Sequence, residues 1–144
     1  MGYSKILVPV DFSDKSRHAL ETALEIAAFY KSDVIVCHVI PLVMVASPLF
    51  PHYSAQKDRD REEEEEKAAL GEVRKLAGQV AGRELQMAIL RGDAPAEIVS
   101  YAEHEGCDLI VMSSTGRTGL KRMLLGSVAD RVIRHAHCGV LVVR

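Results

Sequence analysis

The order of apolar and polar positions along the chain predicts alternating β-strands and α-helices. Continuous apolar runs at 6–10 and 109–112 are typical of strands that are buried on both faces, and the largely apolar runs at 34–40 and 140–143 also predict strands. Another run, at 85–90, mixes polar and apolar residues and predicts a strand nearer the edge of a sheet. Between the runs, apolar residues recur every three or four positions, as in amphipathic helices. The first such stripe consists of Ala19, Leu20, Ala23, Leu24, Ala27 and Ala28.

This alternation predicts an α/β fold, a single open, parallel five-stranded sheet with helices on both faces, Rossmann-like in architecture. The 144 residues contain no internal repeat and no linker, so we assign one domain to residues 1–144. We expect the most apolar strands, the first and fourth, at the centre and the mixed third strand at an edge. The strand order 3-2-1-4-5 satisfies both, and it creates a topological switch point between the first and fourth strands, where open α/β sheets bind ligands.

Three further segments add detail to this outline. Prolines among apolar residues at 41–55 predict a loop that acts as a lid or as a packing surface. The charged stretch 58–67, followed by apolar residues at helical spacing, predicts one long amphipathic helix with a solvated start. Its acidic run at 62–66 has an alternative interpretation as an interaction tail. A later helix is expected to begin with Asp93 as its N-cap and Pro95 in its first turn.

Composition narrows the class of protein. Apolar residues make up 48% and charged residues 26% of the chain, which excludes a disordered or collagen-like protein. No apolar run approaches the ~20 residues of a membrane span, and the first apolar run is too short for a signal peptide. The three cysteines lack Cys-x-x-Cys spacing, which argues against a disulfide framework or a zinc site and favours a reducing compartment. We therefore expect a cytoplasmic protein that does not associate with membranes.

Charge is distributed unevenly along the chain. The net charge of −2 argues against general nucleic-acid binding. Residues 113–144, however, hold six Lys and Arg residues and one Asp. The last quarter of the chain is therefore where an anion is expected to bind.

A glycine-rich segment at 113–129 carries the strongest chemical signal. Gly116, Gly119 and Gly126 lie between a buried strand and a helix that Gly126 and Ser127 are expected to open. Glycine lets backbone N–H groups approach a ligand, and the N-terminus of a helix favours an anion. Arg117, Lys121 and Arg122 would add positive charge, so the segment predicts a phosphate cradle. The alternative is that the glycines only shape a turn, with Ser127 and Asp130 forming a capping box.

Two residues at the carboxyl ends of the first two strands, Asp11 and Val39, are expected to face the same crevice. Asp11 follows the first strand, where a carboxylate can accept hydrogen bonds from a ribose hydroxyl pair. It could equally be the N-cap of the first helix. Val39 ends the second strand and would offer an apolar wall to a base, or it packs in the core.

Other reactive side chains carry weaker signals. His135, His137 and Cys138 are too closely spaced after a helix to ligate one ion together, so no metal site is assigned. Cys107 has no histidine partner implied by the sequence, and His38 is interpreted as a hydrogen-bonded core histidine. No catalytic residues are assigned, because neither paired carboxylates nor a Ser-His-Asp order can be argued.

The chain resembles the universal stress protein family over essentially its whole length, most clearly at 6–13, 38–39 and 113–144. It is closest to the ATP-binding branch, whose signature is Gly-x2-Gly-x9-Gly-Ser/Thr. Gly116, Gly126 and Ser127 match that signature, whereas Ser113 stands where its first glycine is expected. The resemblance implies a nucleotide site made of Pro9, Val10, Asp11, Val39, Ser113, Thr115, Gly116, Arg117, Thr118, Gly119, Gly126, Ser127, Val128 and Ala129.

The resemblance also implies a function. It indicates a cytoplasmic, homodimeric stress-response protein that binds ATP, AMP or another adenine nucleotide, with Mg²⁺ or Mn²⁺ on the phosphates and at most slow hydrolysis. The apolar strand at 140–143, exposed at the sheet edge, would pair with its copy in the dimer. The alternatives are a dimeric stress-response scaffold without nucleotide and a small hydrolase or nucleotidyl-transfer enzyme. Ser113 is the feature that discriminates the scaffold from the nucleotide-binding protein.

Overall fold

The structure is a computed structural model that describes residues 2–42, 55–116 and 124–144. Nearly all of the apolar loop predicted at 41–55 lies outside the described residues. So does the segment 117–123, and with it three predicted site residues, Arg117, Thr118 and Gly119.

Nine elements alternate along the described chain, and their order is the predicted one. The strands are β1 (Lys5–Pro9), β2 (Asp33–Ile40), β3 (Gln86–Arg91), β4 (Leu109–Ser113) and β5 (Gly139–Val143). The helices are α1 (Asp14–Tyr30), α2 (Ala55–Ala81), α3 (Ala94–His104) and α4 (Ser127–His135). The strands form one parallel sheet in the order β3-β2-β1-β4-β5, which confirms the predicted topology.

Helices cover both faces of the sheet because successive strand residues point to opposite sides. On one face, Ile6 and Val8 of β1 pack with Leu20 of α1 and Val73 of α2. On the other, Leu7 of β1 and its neighbours pack against α3 and α4. The central strands β1 and β4 are buried along most of their length, whereas β3 is only partly buried at its edge.

The amino ends of β1 and β4 are fastened together by one carboxylate. Asp108, just before β4, accepts hydrogen bonds from the Ser4 N–H at 2.8 Å, the Ser4 hydroxyl at 2.7 Å and the Lys5 N–H at 3.2 Å. The ladder between the two strands then pairs Ile6 with Leu109 and Leu7 with Ile110. The register of the central strands is thus set at the end opposite the predicted crevice.

From the sequence, three residues are candidates for helix N-caps: Asp11, Asp93 and Ser127. Only Asp93 occupies an N-cap position in the structure. Ser13, not Asp11, is the N-cap of α1, and its hydroxyl accepts a hydrogen bond from the Ser16 N–H at 3.2 Å. Asp93 does occupy the N-cap position of α3, with Pro95 in the first turn. Both oxygens of its carboxylate accept hydrogen bonds from the Arg131 guanidinium, at 3.0 and 2.8 Å.

Helix α4 begins one residue earlier than the predicted capping box requires. Gly126 is the N-cap, with extended backbone (φ −63°, ψ 155°), and Ser127 is already the first helical residue. The Ser127–Asp130 capping box is therefore wrong. Within the described residues, the amino end of α4 has no side-chain cap.

Candidate functional site

A cleft of about 290 Å³ lies at the carboxyl ends of the central strands. The ends of β1, β2 and β4 form its floor, and the first turns of α3 and α4 form its rim. Every predicted site residue that the structure describes lines this cleft, namely Pro9, Val10, Asp11, Val39, Ser113, Thr115, Gly116, Gly126, Ser127, Val128 and Ala129. The fold thus brings together residues from three separate parts of the sequence.

Asp11 is held in place where the chain turns from β1 into α1. Its Oδ1 accepts hydrogen bonds from the Ser13 N–H, at 3.0 Å, and from the Ser13 hydroxyl. Phe12 between them has φ +66°, a left-handed conformation that is unusual for a bulky residue and turns the chain sharply. A Cβ atom on Gly116 would lie 2.9 Å from Oδ2 of Asp11. A side chain at 116 would therefore displace the Asp11 carboxylate, which lies against the loop after β4.

Gly126 joins the loop after β4 to the start of α4. Its N–H donates to the Ser114 carbonyl oxygen at 2.6 Å, and a Cβ atom at 126 would lie 2.9 Å from that oxygen and 3.2 Å from the Thr115 Cα. The contact holds the open amino end of α4 against the loop. Such an end offers unpaired N–H groups and a partial positive charge, the features that bind anions.

Ser113 fits its position without strain. It is the last residue of β4 and pairs with Val143 of β5. Its hydroxyl donates to the Thr115 carbonyl oxygen at 3.0 Å, so the side chain is folded back onto its own loop. Its φ is not positive. The backbone conformation at the first glycine position of the signature is therefore one that any residue adopts.

The walls of the cleft are mainly apolar. Val39 lines the cleft and also packs against the core on the α3 and α4 side, so both interpretations of this residue hold. Ile98 and Met112 extend the same wall, and Leu124 and Leu125 lie at its mouth with 63% and 42% of their surface exposed. A flat apolar group of a ligand would be well accommodated here.

His38 is hydrogen-bonded as predicted, but it is also part of the cleft wall. Its Nδ1 lies 2.7 Å from the Val10 carbonyl oxygen, and its ring lies on Phe12 with centroids 4.5 Å apart. Because a carbonyl oxygen only accepts, Nδ1 is the donor in this contact. This hydrogen bond fixes the tautomer of a polar group that the sequence interpretation had assigned to the core.

Sequence reasoning missed one basic residue beside the cleft. The Nζ of Lys15, in the first turn of α1, donates to Oγ1 of Thr115 at 2.7 Å. Thr115 is buried and lines the cleft. Nothing in the local pattern of α1 distinguishes Lys15 from a solvated helical residue, since its partner is 100 positions away.

The cysteines are poor nucleophiles in this structure. Burial raises the pKa of the Cys37 thiol strongly and that of Cys107 to about 11. Burial also raises the pKa of Cys138. At neutral pH these groups are thiols, whereas thiolates are the reactive form.

The histidines near the end of α4 have separate partners. The His135 Nδ1 lies 2.8 Å from the Arg131 carbonyl oxygen, and the His137 Nε2 lies 3.7 Å from a Glu103 carboxylate oxygen. In the described parts of the chain, no three potential metal ligands come together.

Comparison with known proteins agrees with this architecture. The model of the universal stress protein family matches residues 2–144. The chain belongs to the universal stress protein family. It is 41% identical to the universal stress protein MJ0531 of Methanocaldococcus jannaschii, in an alignment that covers 99% of this chain and 82% of that protein.

Two solved structures show the same family architecture. The structure of MJ0577, another universal stress protein of M. jannaschii, superposes with a TM-score of 0.82 at 32% identity, covering 99% of this chain and 96% of that one. A universal stress protein of Archaeoglobus fulgidus, solved in complex with dAMP, superposes with a TM-score of 0.61 at 26% identity over 100% of both chains. In the part of this family member that the structure describes, no helix is long and apolar enough to cross a bilayer.

Proposed function

We propose that this universal stress protein is a stress-response regulator that binds an adenine nucleotide, ATP foremost, in the cleft between β1 and β4. One observation carries the proposal: the cleft joins a positioned carboxylate, an apolar wall and an open helix N-terminus. The complex of the A. fulgidus relative with dAMP adds support, because it shows that a family member of this fold accommodates an adenine nucleotide.

Each part of the cleft suits one part of the nucleotide. The base would lie against Val39 and the neighbouring apolar side chains. The ribose hydroxyls would donate to the carboxylate of Asp11, which Ser13 holds at the end of β1. The phosphates would accept from the N–H groups of Thr115 and Gly116 and of the first turn of α4.

The cleft fits a divalent cation only as a companion of the nucleotide. Asp11 is the one acidic residue among the described residues that line the cleft, and its Oδ1 already accepts two hydrogen bonds from Ser13. Mg²⁺ or Mn²⁺ would therefore be held mainly by phosphate oxygens and water, as is usual for Mg²⁺ with nucleotides. The residue types in the cleft supply no obvious general base, so any hydrolysis is expected to be slow.

The first test is direct. The purified protein is denatured, and any released nucleotide is identified by mass spectrometry; calorimetric titration with ATP then gives the affinity. Binding of ATP supports the proposal. If neither released nor added adenine nucleotide is found on the protein, the scaffold without nucleotide is the better interpretation.

The role of Asp11 is tested by one substitution and one ligand analogue. Asp11→Ala is expected to weaken ATP binding by roughly 1.5–3 kcal/mol, the range for a hydrogen bond to a charged group. Asp33→Ala, which removes an exposed carboxylate at the start of β2, is the control and should leave the affinity unchanged. ATP without its two ribose hydroxyls should bind the wild type weakly and be insensitive to Asp11→Ala. Equal affinity of the wild type for both ligands would contradict this role.

We further propose a homodimer that forms through β5. This strand pairs only with β4 in the described sheet, and Leu141 on it is 37% exposed. An uncovered apolar edge is an aggregation hazard, and a two-fold axis beside it would close the sheet at two subunits. The three free cysteines suit a reducing compartment such as the cytoplasm.

A further inference from the structure

Lys15 is an unneutralised positive charge beside the cleft. Its only hydrogen bond among the described residues goes to the Thr115 hydroxyl, which is a neutral partner. The neighbouring basic side chain of α1, by contrast, is paired with a carboxylate: Arg17 lies 3.6 Å from Glu21. No described acidic side chain forms such a pair with Lys15.

The contact brings this charge to the loop that lines the cleft. Thr115 is 8% exposed and lines the cleft. It follows Ser114, whose carbonyl oxygen accepts the hydrogen bond from the Gly126 N–H. An ammonium group carries three donors, of which Thr115 takes one. The remaining donors suit phosphate oxygens, which lysine binds as a compact point charge.

We propose that Lys15 is a specificity-determining residue that binds the polyphosphate end of the nucleotide. This inference rests on the proposed function of the cleft and adds to it a preference among adenine nucleotides. The attraction grows with the negative charge of the ligand. Lys15 therefore favours ATP over AMP and has no effect on uncharged adenosine, while Thr115 keeps the flexible lysine side chain directed toward the loop.

A substitution with a matched control separates this role from a structural one. Lys15→Met removes the charge and keeps most of the aliphatic stem. Lys75→Met does the same on the exposed face of α2, away from the cleft. Binding of adenosine, AMP, ADP and ATP to each variant is measured by calorimetry at two salt concentrations.

For Lys15→Met we expect about a tenfold loss of ATP affinity, the lower end for a hydrogen bond to a charged group. The loss should be smaller for AMP and absent for adenosine. It should also shrink as salt rises, because the lysine is exposed and its charge is screened. Lys15→Arg should restore much of the preference, and Lys75→Met should behave as the wild type.

The outcomes distinguish the proposed role of Lys15 from the proposed nucleotide site. If the wild type binds adenosine and ATP but Lys15→Met leaves their affinity ratio unchanged, the role of Lys15 is wrong and the nucleotide site stands. An equal loss for adenosine and ATP means that the Lys15–Thr115 contact only stabilises the loop, which also overturns the inference. A wild type that binds none of the four ligands overturns the proposed function and the role of Lys15 together.

Discussion

Gly116 and Gly126 lie where the structure leaves no room for a Cβ atom. At 116 the space is taken by the Asp11 carboxylate, and at 126 by the backbone of Ser114 and Thr115. Neither glycine has a positive φ, so close approach, rather than backbone freedom, is the reason for both. A side chain at 126 meets backbone atoms, which yield less easily than the end of a flexible side chain.

Replacement of Gly126 by alanine should therefore move the loop away from α4. We expect Gly126→Ala to weaken ATP binding by at least about tenfold, the equivalent of one hydrogen bond to a charged group, with an unchanged circular dichroism spectrum. The control is Gly78→Ala in α2, where an added Cβ atom meets nothing within 4 Å. That variant should bind ATP normally and gain roughly 0.5–1 kcal/mol of stability, because alanine is the better helix former. Unaltered ATP affinity of Gly126→Ala would show that this contact does not shape the site.

Among the secondary-structure elements, β1 and β4 are the central strands, and the cleft opens where they end. Asp108 fixes their amino ends through three hydrogen bonds, and the cleft opens at their carboxyl ends. Burial alone would raise the pKa of Asp108, but the hydrogen bonds from Ser4 and Lys5 outweigh it and hold the pKa below its ordinary value. The charged form of Asp108 is therefore favoured by folding.

This shift predicts a dependence of stability on pH. A carboxyl group whose pKa is lowered by folding stabilises the protein above its unfolded pKa, about 3.9. That contribution is lost as the pH falls through the folded pKa. Asp108→Asn should thus lower the free energy of unfolding by about 1 kcal/mol at pH 7 and by less at pH 3. Urea denaturation at both values measures this, with Asp33→Asn as the control at the exposed start of β2. A deficit that does not change between pH 7 and pH 3 would rule out the charged hydrogen bonds as its cause.

At the scale of the whole molecule, the sheet has two different edges. On one side, β3 lies under the long helix α2, whereas β5 on the other side exposes part of Leu141. Within β5, the side chain of Leu141 is exposed, whereas that of Val142 is half-buried. Leu141 is therefore the residue that a second copy of the chain would cover.

A charge at this position should prevent the dimer. Sedimentation equilibrium of the wild type at micromolar concentration is expected to give twice the 15.8 kDa mass of one chain, and Leu141→Lys should give that single mass. The control is Leu42→Lys, which places the same charge at a leucine that is 63% exposed after β2 and should leave the dimer intact. A wild type that sediments as a single chain would reject the dimer itself.

The sequence by itself determined the elements, their order and most of the cleft. Each predicted strand lies within a residue or so of its place in the structure; the run at 34–40, for example, became Asp33–Ile40. The polarity of 85–90 correctly placed β3 at an edge. The positions of the strands follow from the sequence because the spacing of apolar residues is set by the local backbone conformation. The edge position of β3 follows because a strand that is buried on both faces carries few polar residues. The topology then brought Asp11, Val39 and the loop after β4 together.

Only the tertiary structure decided which side chains meet across that topology. The carboxylate of Asp93 binds Arg131 of α4, and Lys15 of α1 reaches Thr115 in the loop after β4. Gly126, not Ser127, is the N-cap of α4, because its backbone is extended and its carbonyl oxygen accepts the first helical hydrogen bond, from the Asp130 N–H at 2.9 Å. Spacing along the chain sets the face on which a residue lies. The partner of a long side chain, by contrast, depends on the packing of elements that are distant in sequence.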